Sequence, residues 1–201
     1  MEYGFVIDLE KCVGCHGCSV ACKAANGTPP GVTRSNVVRG TEGTYPNAVR
    51  TIRPMLCMMC ETAPCAEICP TGASVKREDG IVTIDKEKCI GCGSCQTVCP
   101  YDARYLVETE EGYFGTELNE YEQVAYKDRV KKMTMDKCDF CLGHSGNDTP
   151  DPVCVKVCMA EARFFGELSE MKKMAEARGG DVYKPEEGTN PRVFYLPVIT
   201  A

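Results

Sequence analysis

Sixteen cysteines among 201 residues constrain this chain more than any other feature of its sequence. They form four groups of four, with none left over: Cys12, Cys15, Cys18, Cys22; Cys57, Cys60, Cys65, Cys69; Cys89, Cys92, Cys95, Cys99; and Cys138, Cys141, Cys154, Cys158. Groups one and three share the spacing C-x2-C-x2-C-x3-C, group two is C-x2-C-x4-C-x3-C and group four is C-x2-C-x12-C-x3-C. Thiolates at such short intervals can wrap a small iron–sulfur cubane, and in the bacterial ferredoxin run the fourth Cys binds the other cluster of a two-cluster module.

Disulfides and zinc are the alternatives to iron–sulfur clusters. The amino terminus MEYGFVIDLEKC lacks the basic and apolar regions of a secretory signal, so we expect the chain to fold in a reducing cytosol, where structural disulfides are rare. Zinc sites use ligand pairs separated by a longer spacer and do not require a third Cys two residues further on. The spacing therefore favours iron–sulfur clusters, and four ligands per cubane predict four [4Fe–4S] clusters.

Composition excludes several other functions. A net charge of −6 argues against nucleic-acid binding, because nucleic-acid binders carry a basic footprint. No run approaches the 18 apolar residues typical of a membrane span. There is no G-x-G-x-x-G, no Walker loop and no nucleophile elbow. The sequence thus predicts electron transfer without a substrate site, and we expect no catalytic residue.

Part of the sequence occurs twice. VIDLEKCVGCHGC begins at Val6, and TIDKEKCIGCGSC begins at Thr83. Each copy predicts a short strand that runs into a cluster loop, with a short helix after it. Neither half could bury much apolar core, and domains this small usually need metals. We therefore expect the clusters to be structural as well as functional and the protein without them to be largely unfolded.

Four blocks of the sequence are distinctive beyond their cysteines: IDLEKCVGCHGCSVACK, RPMLCMMCETAPCAEICPTGAS, DGIVTIDKEKCIGCGSCQTVCPYDARYL and the tail YKPEEGTNPRVFYL. Through these blocks the sequence resembles, over nearly its whole length, the four-cluster iron–sulfur (beta, electron-transfer) subunits of dimethyl-sulfoxide-reductase-type molybdopterin oxidoreductases. It is most similar in pattern to the polysulfide, thiosulfate and arsenate reductase subunits. The resemblance implies an α+β fold of tandem ferredoxin-like modules, two 2[4Fe–4S] units, with loop-rich insertions and an extended C-terminal tail. The inner module would span residues 54–107, and the outer module residues 1–53 plus 108–201.

The resemblance also implies how the motifs share their thiolates: motifs one and four exchange their last Cys, as do motifs two and three. Cluster 1, nearest the catalytic subunit, would be bound by Cys12, Cys15, Cys18 and Cys158. Cluster 2 would be bound by Cys22, Cys138, Cys141 and Cys154. Cluster 3 would be bound by Cys57, Cys60, Cys65 and Cys99. Cluster 4, facing a membrane subunit or another electron donor, would be bound by Cys69, Cys89, Cys92 and Cys95.

The predicted function is that of an electron-transfer subunit in a complex of anaerobic respiration. It would relay single electrons through four [4Fe–4S] clusters between a quinone-reactive membrane subunit, or another redox partner, and a molybdopterin catalytic subunit that holds molybdenum or tungsten. The alternatives are a free-standing soluble polyferredoxin and, least favoured, an enzyme in its own right. The complex would be membrane-associated, either exported with a twin-arginine-tagged partner or cytoplasmic.

Three further features carry two interpretations each. Lys11, Lys88 and Lys137 precede the first Cys of a motif, where positive charge would raise cluster potentials, although lysine is also common on surfaces. The stretch 101–137 is acidic and aromatic and then basic, and it is either a solvated hairpin or lid, or a contact surface for a partner. His16 and His144 lie in or beside cluster loops. Because every cubane already has four Cys, we expect them to be loop residues, and the alternative is a proton-coupled or hydrogen-bonding role.

Overall fold

The computed structural model describes residues 1–127, 129–144 and 146–197, which form a mixed α/β fold. Its strands are β1 Tyr3–Asp8, β2 Asn36–Glu42, β3 Val49–Met55, β4 Ser74–Lys76, β5 Val82–Ile84, β6 Arg104–Leu106, β7 Met135–Lys137, β8 Arg163–Glu167, β9 Asp181–Val182 and β10 Val193–Leu196. Its helices are α1 Gly17–Asn26, α2 Pro64–Glu67, α3 Ser94–Thr97, α4 Glu120–Tyr126, α5 Val153–Lys156 and α6 Leu168–Ala177, with a 3-10 turn at Pro185–Glu187. Across these ranges, no helix combines the length and apolar character that a membrane crossing needs.

The largest sheet has the strand order β8-β1-β10-β9, with β1 antiparallel to β8 and parallel to β10. Phe5, Val6 and Ile7 in the middle of β1 are fully buried, so the sheet is covered on both faces. Val6 lies in a buried cluster with Met171 of α6. Phe5 lies in another buried cluster, where its ring is 5.8 Å from that of Phe140. An uninterrupted apolar run is what a doubly covered strand requires.

The C-terminal tail is part of this sheet. It supplies β9, the 3-10 turn and β10, and β10 lies between β1 and β9. Val193 and Leu196 are fully buried, because the alternative of leaving VFYL on the surface would expose apolar side chains and unpaired backbone groups. Proline lies at positions 191 and 197, outside the strand, where it removes no hydrogen bond of the ladder.

The two sequence repeats build the same turn into their first Cys. Asp8, at the end of β1, accepts hydrogen bonds on Oδ1 from the amides two and three residues further on, at 3.1 and 3.2 Å. Asp85, which follows β5, does the same at 2.9 and 3.3 Å. Their backbone carbonyls then accept from the amides of Cys12 and Cys89, respectively. An aspartate that satisfies nearby amides is the usual way to fix such a turn.

The long stretch between cysteine groups three and four folds against the rest of the chain. Strands β6 and β7 at its two ends pair antiparallel with each other. Helix α4 lies between the two strands in sequence. The hydroxyl of Tyr121 donates to the carbonyl of Ala24 at 2.9 Å, and that of Tyr113 donates to the carbonyl of Thr28 at 3.1 Å. The stretch is therefore anchored on α1 and the loop after it, while side chains such as that of Val124 remain exposed. Phe114 is 86% exposed, and contact with a partner stays a prediction.

All four cysteine motifs share one backbone feature. The residue before the second Cys has a positive φ in each: Gly14 (68°), Met59 (46°), Gly91 (66°) and Phe140 (57°). This left-handed residue reverses the direction of the backbone, so the two thiols can face the same space. Glycine adopts this conformation freely, whereas other residues meet a steric cost of about 1–2 kcal/mol. Motifs two and four have Met59 and Phe140 at this position despite the steric cost. The left-handed conformation is therefore required by the loop and is not a consequence of having glycine there.

The third motif offers a matched pair of glycines that tests this requirement. A Cβ at Gly91 would lie 2.3 Å from the carbonyl oxygen of Met133, whereas a Cβ at Gly93 (φ 74°) has nothing within 4 Å. We expect Gly93→Ala to lower the free energy of unfolding by about 1–2 kcal/mol. Gly91→Ala should cost a further ~1–3 kcal/mol because the neighbouring backbone must move. Guanidinium denaturation of anaerobically prepared protein, followed by circular dichroism, measures both, and equal midpoints would contradict the steric account.

Candidate iron–sulfur centres

One set of thiols lies between the first and fourth motifs. The loop after β1 and the end of α5 meet there, and one small cavity is lined by Cys12, Cys15, Cys18 and Cys158. The amide of Ala162 donates to Sγ of Cys158 at 3.3 Å. Cys15 is solvent-exposed. This set therefore combines an enclosed cavity with one edge at the surface.

A second set lies between the second and third motifs, and its thiols line another small cavity: Cys69, Cys89, Cys92 and Cys95. The amide of Ser74 donates to Sγ of Cys69 at 3.4 Å, and that of Met135 donates to Sγ of Cys89 at 3.3 Å. Amide donors stabilise negative charge on sulfur. Cys92 is exposed, so this set also reaches the surface.

A third set is enclosed by protein, and all its members are buried: Cys22, Cys138, Cys141 and Cys154. Burial raises the pKa of the Cys22 thiol to about 12, and the thiols of Cys141 and Cys154 lie close enough to add to this effect. Burial likewise raises the pKa of the Cys138 thiol, and Cys22 adds to this effect. The four thiols thus form one electrostatically coupled group.

A fourth set adjoins the third and consists of Cys57, Cys60, Cys65 and Cys99. Burial raises the pKa of the Cys60 thiol to about 12, the hydroxyl of Thr189 opposes this, and the other three thiols contribute in the same direction as burial. Cys57 also acts on the Cys138 thiol of the third set. The two interior sets are therefore neighbours.

The structure thus brings together the thiols of each predicted ligand set, and all sixteen are free of disulfides. In the part of the sequence that is described, no three His, Cys, Asp or Glu side chains converge as ligands of a single metal ion. A cubane has a different requirement, since each of its four thiolates binds a different iron. Which thiols bind which cluster stays a prediction.

Two buried arginines contact these thiols. Nη2 of Arg163 donates to Sγ of Cys18 at 3.2 Å, and Nη2 of Arg104 donates to Sγ of Cys65 at 2.9 Å. Burial disfavours both guanidinium charges, but neighbouring thiols outweigh it and raise the pKa of each arginine. For Arg163, Cys154 is one of the thiols that raise the pKa of the guanidinium group.

The same arginines test whether an iron–sulfur cluster fits the site. Within the described residues, Nε and Nη1 of Arg104 and Nη1 of Arg163 are buried and have no hydrogen-bond partner. Buried donors are normally satisfied, and charged donors that lack an acceptor are especially costly. The sulfide and thiolate atoms of a cluster between the thiols would supply acceptors. The residues present therefore fit the group.

The three lysines that precede a motif have different surroundings. Lys137 is buried, and its Nζ donates to the carbonyl of Cys138 at 2.6 Å and lies 3.9 Å from Sδ of Met59. Lys88 is largely exposed, and Lys11 is exposed as well. Of these three lysines, only Lys137 therefore lies among the thiols. The interpretation that positive charge raises the reduction potential of a cluster fits only this lysine.

A buried ion-pair network joins the first and fourth motifs. Arg34 binds Asp136 through Nε at 2.9 Å and Nη2 at 2.8 Å, and its Nη1 reaches Asp139 at 3.1 Å and Asn26 at 2.7 Å. Asn26 in turn donates to the carbonyl of Cys22 at 3.0 Å. Burial raises the pKa of the Asp136 carboxyl, but Arg34 outweighs burial and the pKa lies below its usual value. Both partners are thus charged.

The histidines take structural positions. Nε2 of His144 lies 3.0 Å from Oδ1 of Asn26 and contacts Arg129. Burial, followed by the charge of Arg129, lowers the pKa of His144, so its ring is neutral at pH 7. His16 is the N-cap of α1, with φ at 61°. His144 is thus a hydrogen-bonding residue of this network.

Arg34, Arg104 and Arg163 are site residues that the cysteine motifs do not predict. A signal was present for two of them, because Arg104 and Arg163 each follow the last Cys of a motif by the same number of residues and each follows an alanine. Arg34 has no such signal, since its acids lie about a hundred residues away in sequence.

The comparisons with known proteins agree with this site. A family model described as a 4Fe-4S dicluster domain matches residues 48–114, which contain cysteine groups two and three. Fold and site therefore define an iron–sulfur protein with a ferredoxin-like dicluster domain that binds [4Fe–4S] clusters.

Several curated proteins are similar over nearly the whole chain. The chain is 36% identical over 226 residues to the arsenate respiratory reductase iron–sulfur subunit of Shewanella sp. (strain ANA-3), with 98% of this chain and 96% of that protein covered. It is 40% identical to the B subunit of the selenate reductase of Mesobacillus selenatarsenatis, with coverages of 98% and 72%. It is 34% identical to the thiosulfate reductase electron transfer subunit of Salmonella typhi, with coverages of 96% and 90%.

This protein is a member of the family of electron-transferring iron–sulfur B subunits of molybdopterin oxidoreductases. Relatives at 33–40% identity carry subunit names of several reductases. The family assignment supports a catalytic partner subunit. It also favours the subunit function over the free-standing polyferredoxin.

The buried ion-pair network leads to a stability prediction. We expect Arg34→Met to lower the free energy of unfolding by about 3–5 kcal/mol, because it leaves Asp136 and Asp139 without their main cation. Arg77→Met is the control. Arg77 pairs with Asp148, whose side chain is 71% exposed, and with Asp79, and its own side chain is 31% exposed. Pairs that solvent reaches are worth about 0–1 kcal/mol. Denaturant titration of both variants measures the difference. Equal losses would show that the network adds no stability.

Proposed function

We propose that this chain holds four [4Fe–4S] clusters in a line and passes single electrons along them. Cluster 1 is bound by Cys12, Cys15, Cys18 and Cys158. Cluster 2 is bound by Cys22, Cys138, Cys141 and Cys154. Cluster 3 is bound by Cys57, Cys60, Cys65 and Cys99. Cluster 4 is bound by Cys69, Cys89, Cys92 and Cys95.

The observation that carries this proposal is the linear order of contacts between the thiol sets. Arg163 lies beside Cys18 of cluster 1 and Cys154 of cluster 2. Cys138 of cluster 2 and Cys57 of cluster 3 lie in the same buried apolar cluster, and Cys57 is close enough to raise the pKa of the Cys138 thiol. Arg104 makes the third connection, between clusters 3 and 4. These three links connect the thiol sets in the order 1, 2, 3, 4.

Exposure supports the same order. Cys15 of cluster 1 and Cys92 of cluster 4 are exposed, whereas every thiol of cluster 2 is buried. A relay needs accessible ends and a protected middle, because electrons enter and leave at the ends. Cluster 1 faces the molybdopterin subunit and cluster 4 faces the second redox partner, for which a quinone-reactive membrane subunit is proposed. This assignment of the two ends follows the family resemblance.

The protein itself supplies thiolates, hydrogen bonds and exclusion of water. Each bound cluster supplies a one-electron redox centre. Burial raises the pKa of the Cys154 thiol to about 11, so the proton stays on sulfur at neutral pH until iron displaces it, and cluster assembly releases protons. Backbone amides such as those of Ser74 and Ala162 then donate to the sulfur ligands. Donors of this kind favour the more negative, reduced state.

The proposal includes two tandem ferredoxin-like modules. Residues 54–107 form the inner module with clusters 3 and 4, and residues 1–53 plus 108–201 form the outer module with clusters 1 and 2. The equivalent turns at Asp8 and Asp85 support this division. The pairing of β6 with β7 joins the two modules, and within each module the motifs exchange their last Cys.

Iron content tests the number of clusters. We expect anaerobically reconstituted protein to contain about 16 iron and 16 acid-labile sulfide per chain, from four cubanes, with zinc near zero. Metal analysis and sulfide assay measure this. A plateau at about eight iron per chain after full reconstitution would overturn the four-cluster proposal.

Variants at the two exposed thiols test the direction of the line. In the purified complex with its catalytic subunit, Cys92→Ser should convert or remove only cluster 4. Turnover with the physiological donor should then fall severely, whereas turnover with a reduced dye that enters further along should survive. Cys15→Ser should stop both activities, because every electron must pass cluster 1.

Iron analysis and electron paramagnetic resonance must accompany these assays, because each cluster also holds the fold together. The comparison uses only complexes in which the other three clusters are retained. If the Cys15→Ser complex keeps physiological turnover while Cys92→Ser loses dye-driven turnover, the proposed order is reversed.

A further inference from the structure

Arg104 and Arg163 hold equivalent positions in the two halves of the chain. Each is the fifth residue after the last Cys of its motif, Cys99 or Cys158, and each follows an alanine. Each also begins a strand, β6 or β8. Both are almost fully buried, at 3% and 4% exposure. The two arginines are therefore a repeated device and not two unrelated core residues.

Their thiol partners are equivalent too. Arg163 donates to Cys18, and Arg104 donates to Cys65; these are the third cysteines of motifs one and two. A thiol from the other motif of the pair also acts on each arginine: Cys154 on Arg163, and Cys95, along with Cys57, on Arg104. Cys154 and Cys95 are the third cysteines of motifs four and three. Each guanidinium thus lies between ligands assigned to two different clusters of one module.

The charge of these two arginines is available to the clusters. The other buried arginines in the described residues, Arg34 and Arg192, have carboxylate partners in Asp136 and Glu2. In the described residues, the side chains of Arg104 and Arg163 donate to cysteine Sγ atoms, and no carboxylate forms an ion pair with either. The remaining neutral partner of Arg104 is a serine hydroxyl, and Arg163 has an equivalent one, at 2.7 and 3.5 Å. A thiolate-bound cluster would therefore be the anionic partner of both guanidinium groups.

We propose that Arg104 and Arg163 are bridging residues, each of which raises the reduction potentials of both clusters in one module. Reduction adds negative charge to a cluster, and a fixed positive charge nearby stabilises that state. Burial strengthens the interaction because the effective dielectric is low. One guanidinium that serves two clusters shifts their potentials together, which keeps the step between them small in free energy. The proposal rests on the ligand sets given under Proposed function.

Potentiometric titration followed by electron paramagnetic resonance tests this in the purified complex. Arg163→Gln should lower the potentials of two of the four clusters, by about tenfold in the reduction equilibrium, or about 59 mV for a one-electron couple. The other two potentials should stay as in the native complex. Arg104→Gln should lower the complementary two. Arg77→Gln removes a surface charge paired with Asp148 and should change none.

Lysine variants provide a second test in case the glutamine variants do not assemble their clusters. Arg163→Lys and Arg104→Lys keep the positive charge but lose the forked donor, so we expect smaller shifts confined to the same two clusters. If the glutamine variants lose iron, the lysine variants carry the test. Potentials that all stay constant in assembled variants, a shift of a single cluster, or an equal shift of all four would each overturn the bridging proposal. A native complex with fewer than four clusters would instead overturn the proposed function itself.

Discussion

The burial of negative charge is the constraint on which this structure depends. Four thiolates around a cubane form an anion, and an anion is costly in an apolar interior unless donors surround it. The chain meets this cost with backbone amides, such as that of Ser74 on Cys69, and with two arginines that have no carboxylate of their own. The small sheets and short helices serve mainly to hold these donors in place.

The same constraint explains the irregular character of the fold. Helices α2, α3 and α5 each have four residues, too few to be stable in isolation. Each nevertheless carries or adjoins thiols, and its position is set by them. Left-handed residues such as Met59 and Phe140 are strained, and the rest of the site must stabilise them. Metal ligation thus replaces much of the secondary structure that a domain of this size would otherwise need.

Local patterns in the sequence predicted a large part of the molecule, whereas contacts between distant segments were not predicted. The strand before each repeat was predicted correctly as β1 and β5, because apolar runs and the following C-x2-C loops are local. The placement of β10 beside β1 was not predicted, because a parallel pairing of segments so far apart in sequence leaves no local signal. Helix α4 was missed although Asn119 and Glu122 form a capping box, a signal that the sequence does contain. Arg34 was missed because its ion pairs depend on the tertiary fold.

The strand order of the largest sheet has a consequence for how the protein is made. β1 leaves the ribosome long before both of its neighbours, β8 and β10. The first cysteine loop, which directly follows β1, therefore remains without its structural support and without Cys158 for most of synthesis. Residues 54–107, which contain motifs two and three of the proposed inner module, emerge well before that. Domains generally fold as units in the order of synthesis. With the proposed pairing of motifs, we therefore expect the loading of iron and sulfide to begin in the middle of the sequence and to be completed only when the strands that flank β1 have emerged.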